Sequence, residues 1–494
     1  MAYKQTQKYH GTVNSIVVAL CLFAVVDNTV AIWLNHGKDI TNRRYANDEV
    51  LINPLTVSRL RLKWKFFAGK YISATPAVDS GVVYFPSWNG YLYAVNAFTG
   101  ASIWKQNLSE LSGVNGTGIV VNVTVSRSTP TIVNDLLIVG IYGPAVVIAL
   151  KRSDGKLVWS TQLDPRPRVL ITMSGTAFLG TFYVGISSLE EALPAAQCCT
   201  FRGSLVKLDI RTGRVLWQTY MLPDNGGKLE GYAGAAIWGS SPPIDIIRRH
   251  VYVATGNLYT APANVTECQE KQNNQTTPPT QPDQQLGGYD IFYFACLTPN
   301  NPDCPPGPNV DADFGEAPML LSILANGTIR DVVVAVQKSG FAWALDRNNG
   351  NIVWFKGGGQ WGAATDGRRV YTNIANSNRQ NFTLKPSNRT TTASAWVALD
   401  ANSSEILWST AAQAPVSVAN GVVFAGSVAS NGPIYAMDAN TGKILWSNNT
   451  GATVYGGISV SYGCIYLGNG YTVGLAKFHT TWTPGTSLYA FCIV

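Results

Sequence analysis

A short pattern returns along this chain: an apolar-Ala-Leu-Asp stretch, two residues, Thr/Asn-Gly, three residues and a Trp. It reads YAVNAFTGASIW ending at Trp104, IALKRSDGKLVW at Trp159 and VKLDIRTGRVLW at Trp217. It returns as WALDRNNGNIVW at Trp354, VALDANSSEILW at Trp408 and YAMDANTGKILW at Trp446. Each copy predicts a β-hairpin. Alternating apolar residues make the first strand, and the Asp hydrogen-bonds its own turn. The Gly takes the left-handed conformation the turn needs, and the second strand ends in Trp. A Trp at a fixed place in every repeat can bury ~150–250 Å² against the neighbouring sheet. Upstream of most copies lies a second strand pair with its own turn, as in ATPAVDSGVVYFPS, STPTIVNDLLIVG and PVSVANGVVFAGS. Two pairs make a four-stranded blade, and blades packed radially make an all-β propeller. The Trp positions count the blades: steps from 64 to 104, 104 to 159, 159 to 217, 354 to 408 and 408 to 446 each fit one. The step from 217 to 354 is twice too long, which predicts a blade without its Trp there and eight blades in all. The last strand, SLYAFCIV, has only the first half of the motif. The LRLKWKF strand around Trp64 is expected to pair with it and close the ring.

Composition narrows the class. The chain has 494 residues, with 47 Gly, 25 Pro, 22 Tyr and 14 Trp, a make-up of short strands and turns. Only four His argue against a His-rich metal or acid-base centre. A net charge of +7, scattered along the chain, suits solubility or adhesion to acidic polymers rather than a nucleic-acid groove. Residues 1–32 read as a signal peptide and flank: Lys4 and Lys8 precede the apolar run Ile16 to Val26, which Asp27 ends too early for a bilayer span. Residues 33–494 read as a single propeller. Sequons at Asn107, Asn115, Asn122, Asn264, Asn274, Asn326, Asn381, Asn388, Asn402 and Asn448 favour a secreted glycoprotein. Beyond Cys21, seven cysteines remain, with no C-x-x-C-H haem site and no paired C-x-x-C zinc spacing. Cys464 and Cys492 fall on what read as consecutive strands of the last repeat and are expected to pair. Cys296 and Cys304 flank a Pro-rich loop, with Cys268 competing for either, and the odd number leaves one thiol over.

The Trp-anchored repeat resembles the docking motif of the quinoprotein alcohol dehydrogenases, which use pyrroloquinoline quinone (PQQ). WLNHGKDITNRRYA followed by INPLTVSRLRLKW looks like the family's opening segment. EEALPAAQCCTFRGS, AIWGSSPPID, VYVATGNLY, DADFGEAPML and QKSGFAWALD resemble the polyvinyl-alcohol-dehydrogenase-like branch, from about residue 33 to the C-terminus. The resemblance implies PQQ on the propeller axis, on a Trp floor, with Ca²⁺ bridging cofactor and protein. Carried over position by position, Trp238 is the floor. Glu191 (or its neighbour Glu190) and Asn257 are calcium ligands, and Asp313 is the base and a third ligand. Lys338 reaches the quinone oxygens, while Arg127 and Thr172 bind the PQQ carboxylates. These residue types suit the chemistry. Ca²⁺ takes oxygen ligands, a cation helps the quinone carbonyl accept hydride, and a carboxylate takes the alcohol proton. The adjacent Cys198 and Cys199 follow Glu191 and are expected at the rim, near the calcium site.

Two features depart from the family pattern. After VYVATGNLY, a polar Gln/Asn/Pro tract replaces the expected strand-turn-Trp unit, so 266–312 reads as an irregular insert and the fourth blade as incomplete. No haem motif is present, so electrons would leave through another carrier. The leading function is a PQQ- and Ca²⁺-dependent dehydrogenase of a small or polymeric alcohol or polyol, acting as a monomer. The alternatives are a non-catalytic secreted propeller that binds a ligand or partner on its axial face, and a lectin-like or wall-binding module.

Overall fold

The computed structural model describes residues 32–265, 267, 313–357, 362–374, 376 and 380–494. The apolar run of the expected signal, most of the 266–312 insert, and Cys268, Cys296 and Cys304 lie outside them. The described residues form seven four-stranded antiparallel blades. In chain order the first is Ala77–Asp79, Val82–Ser87, Tyr91–Asn96 and Ser102–Asn107. Its first strand is buried and its fourth largely exposed, so each sheet starts at the axis and ends at the outer surface. Six further sheets repeat this order, starting at Thr131, Thr176, Met319, Ala364, Val416 and Ser459.

The expected count of eight is therefore corrected to seven. Between Tyr220 and Met319 the described chain makes only two short ladders, Ala233–Gly234 with Leu258–Thr260 and Ile244–Asp245 with His250–Val251. No four-stranded sheet forms there among the described residues. The double Trp step counts an incomplete fourth blade as a full member of the ring, whereas the described residues of that stretch make no blade. Ring closure takes the expected form. The strand Leu60–Phe67 pairs antiparallel with Ser487–Ile493, placing Lys65 opposite Tyr489, and completes the last blade. Cys464 and Cys492 sit opposite each other in that blade and are disulfide-bonded, with Cα atoms 4.0 Å apart.

The Trp of each hairpin locks one blade to the next. Trp64, Trp104, Trp159, Trp354 and Trp408 donate their indole N–H to the carbonyls of Ala97, Arg152, Ile210, Ala401 and Ala439, each in the following blade's turn. Trp446 donates to Leu60 and so closes the ring. The turn glycine lets the indole approach. A Cβ on Gly442 would lie 2.5 Å from Trp408, and its φ of +70° favours glycine. Trp217 has no hairpin to dock on and is 39% exposed, against 1% for Trp408.

The segment 33–49 crosses the axis at one end. Its backbone bonds the inner edge of sheet after sheet: Trp33 with Val78, Leu34 with Ile132, Ile40 with Ile244, Thr41 with Leu320, Arg43 with Thr365 and Arg44 with Val418. The Glu49 carboxylate then accepts from the Gly463 amide. Inner strands surround the axis, so a chain that bonds them on all sides must plug it.

Candidate active site

Trp238 lies where two apolar clusters meet. One is the core of the third blade, with Ile186, Ile237 and Tyr259. The other is an aromatic cluster of Trp88, Tyr142 and Tyr471, with Tyr455 and Trp482 against it. The approach is close: a Cβ on Gly256 would stand 2.6 Å from the Trp238 indole nitrogen, so the segment carrying Asn257 passes against the indole edge.

On one side of this floor stands Arg127. Its guanidinium donates to the hydroxyls of Tyr471 and Tyr455, both at 3.1 Å, and lies over the rings of Tyr142, Tyr455 and Tyr471. Burial alone would lower its pKa, but the three tyrosines raise it above the ordinary arginine value, so the cation is permanent. Thr172 is buried and hydrogen-bonds Ser187, whose hydroxyl donates to the Ile237 carbonyl, the residue before Trp238.

The acids come from other segments. Asp313 is 3% exposed and ion-paired with the Lys338 ammonium at 2.8 Å, while the Lys338 backbone amide donates to the Asp313 carbonyl. Lys338, expected to reach the quinone oxygens, is ion-paired to Asp313. A carboxylate at this depth needs a partner, and the lysine side chain is long enough to reach it. The Phe314 amide donates to the Thr255 carbonyl, which sets the Asp313 loop beside the Asn257 strand. Glu191 and Asp313 both act on Tyr259: burial, then Glu191, then Asp313, push its phenol well above the ordinary value. Glu191 and Asp313 thus lie within electrostatic reach of Tyr259, two residues beyond Asn257, and all three are buried. Glu190 is committed elsewhere, accepting from the amides of Thr200 and Phe201.

Cys198 and Cys199 are bonded to each other and buried at 3% and 1%, packed in the core cluster with Phe201 and Tyr259 rather than set on the rim. The Glu190 grip on the next two amides draws the pair inward. The tyrosine cage was not anticipated. Tyr142, Tyr455 and Tyr471 are far apart in the chain, and only the shared aromatic content of TVYGGI and LGNGYT signalled them.

The residues present fit PQQ in kind: a permanent cation for carboxylates, an indole floor pressed by a glycine strand, and a second cation beside a carboxylate. Two carboxylates and an amide suit a hard cation, though they fall short of the six to eight oxygens Ca²⁺ takes. Among the described residues no group of three His, Cys, Asp or Glu could hold a metal unaided. The remaining oxygens would come from the cofactor and water.

A family model described as outer membrane protein assembly factor BamB (PQQ_2) matches residues 55–278 and 338–476. A polyvinylalcohol dehydrogenase of a Pseudomonas species is 30% identical over 364 residues, covering 69% of this chain and 55% of that protein. A second, from Sphingopyxis sp. (strain 113P3), is 29% identical over 485 residues, covering 89% of this chain and 72% of that protein. The chain thus spans about half the length of the first of these relatives. The crystal structure of quinohemoprotein alcohol dehydrogenase from Comamonas testosteroni matches with a TM-score of 0.69 at 19% identity, covering 95% of this chain and 82% of that one. At that identity the likeness is one of fold.

Proposed function

Since the chain belongs to the PQQ_2 propeller family, we propose that its axial site oxidises an alcohol or polyol with bound PQQ and Ca²⁺. The Asp313–Lys338 ion pair beside the Trp238 floor carries this reading, because a buried carboxylate next to the reacting carbon is what alcohol oxidation requires of the protein. PQQ, when bound, supplies the two-electron acceptor and Ca²⁺ the Lewis acidity. Arg127 would anchor the cofactor carboxylates, and Trp238 would take one face of its ring system. Glu191, Asn257 and Asp313 would hold the ion. Asp313 would receive the alcohol proton, and the Lys338 ammonium paired with it would hold it as the carboxylate until then. Trp88, Tyr142 and Tyr471 keep water from the cationic end of the site.

The family relatives support an alcohol substrate and a redox acceptor. Two disulfides fit a secreted chain. Among the described residues, no helix is long and apolar enough to cross a membrane. A second reading, an axial binding propeller without catalysis, draws on the stretch beside Asn257, where the described residues form no four-stranded sheet. Titrating PQQ into the purified chain with and without Ca²⁺ separates the two. The proposal expects saturable quenching of tryptophan fluorescence and alcohol-dependent dye reduction. Quenching without dye reduction for any alcohol or polyol would favour the binding propeller.

A further inference from the structure

We propose that Glu316 and Arg44 are positioning residues, which with Ser240 form an axial clamp fixing the Asp313 loop against the Trp238 loop. This rests on the dehydrogenase reading for its catalytic consequence, but the clamp itself is a property of the chain alone. Arg44 and Glu316 are 3% and 6% exposed and lie 3.1 Å apart, although 272 residues separate them. One carboxylate gathers four groups from three segments. Arg44 reaches it from the axial plug, the Ser240 hydroxyl donates at 3.3 Å, and the Gly362 and Ala363 amides donate at 2.7 and 2.8 Å. Ser240 is two residues from Trp238, and Glu316 is three from Asp313.

The plug grips the same loop further on. The Asn42 side-chain amide donates to the carbonyls of Ala317 and Pro318, at 3.0 and 2.9 Å, and the Leu320 amide donates to Thr41. A Cβ on Gly239 would meet the Gly315 carbonyl at 3.4 Å, so the two loops already touch where the clamp holds them. A buried charge with this many directed partners holds one geometry, because each alternative leaves it unpaired.

The test compares E316Q, R44M, R44K and S240A with the wild-type chain, first as apo protein by amide hydrogen exchange and then after PQQ and Ca²⁺ loading. The clamp predicts that E316Q and R44M raise exchange at Phe314, Lys338 and Ser240 by about tenfold or more. The blade strand Val82–Ser87 should stay protected. In the loaded protein kcat should fall by about tenfold or more with KM nearly unchanged, because small misplacements of a reacting group are costly. R44K, which keeps the charge, should recover part of both effects. Wild-type exchange at these amides in both E316Q and R44M, or undiminished kcat, would overturn the proposal. Should those variants lose protection throughout, S240A decides: a rise confined to the two loops supports the clamp, and no rise refutes it. A wild-type chain that never turns over defeats the dehydrogenase reading while the exchange data still judge the clamp.

Discussion

His36 sits in the axial plug with Arg44 on one ring nitrogen and the hydroxyls of Thr75 and Thr129 near the other, both at 3.3 Å. A guanidinium can only donate, so Nε2 must accept, and Nδ1 then carries the proton. Burial, and then Arg44, hold the imidazole well below its ordinary value of 6.5. The unfolded chain therefore binds a proton that the folded chain refuses, and stability falls as pH drops below 6.5 towards the folded value. The slope should approach about 1.4 kcal/mol per pH unit. Glu316 works in the opposite sense. Burial raises it above the carboxylate range, so its contribution to stability is present at low pH and lost as pH rises through the folded value. The difference between wild type and H36Q isolates the imidazole. Denaturation midpoints measured from pH 8 to 5 should converge for the two proteins as acid is added, and parallel curves would contradict this account.

At the scale of elements, the Trp hairpin is the unit that builds the ring, and its contribution depends on what it docks against. Trp408 is sealed by the Gly442 turn, so W408A should cost about 3–5 kcal/mol in urea unfolding. W217A, at a half-exposed indole without a docking turn, should cost about 1 kcal/mol or less. Equal costs would mean that docking is not what stabilises these blades. The hairpins and the closing strand pair were legible in the sequence because their chemistry is local: an Asp that turns the chain, a residue in the left-handed conformation, an indole at a fixed offset. The VALDANSSEILW copy shows the limit, since Ser404 takes the glycine position at φ +63°. The blade number was not legible, because the polar tract marks an incomplete unit but spacing alone cannot say whether its remaining strands still form a blade. The site residues on motif segments were nameable one by one. The ion pairing of Lys338 with Asp313, the tyrosines around Arg127 and the route of residues 33–49 were not, because each depends on contacts between remote blades.

For the whole molecule, the ring is fastened twice in its last blade, by the Leu60–Phe67 strand and by the Cys464–Cys492 bond. Replacing both cysteines with serine should lower stability by about 2–5 kcal/mol in denaturant titrations. A variant as stable as the wild type would show that strand pairing alone closes the propeller. Closure matters to function because the axis exists only while the ring holds Arg127, Trp238 and Asp313 around it. The most direct test of the central claim is D313N in the PQQ- and Ca²⁺-loaded chain, read by cofactor binding and by alcohol-dependent dye reduction in parallel. The account predicts PQQ affinity close to wild type, held by Arg127 and Trp238, with dye reduction abolished because the proton acceptor is gone. Dye reduction retained in D313N would contradict it and place the base elsewhere.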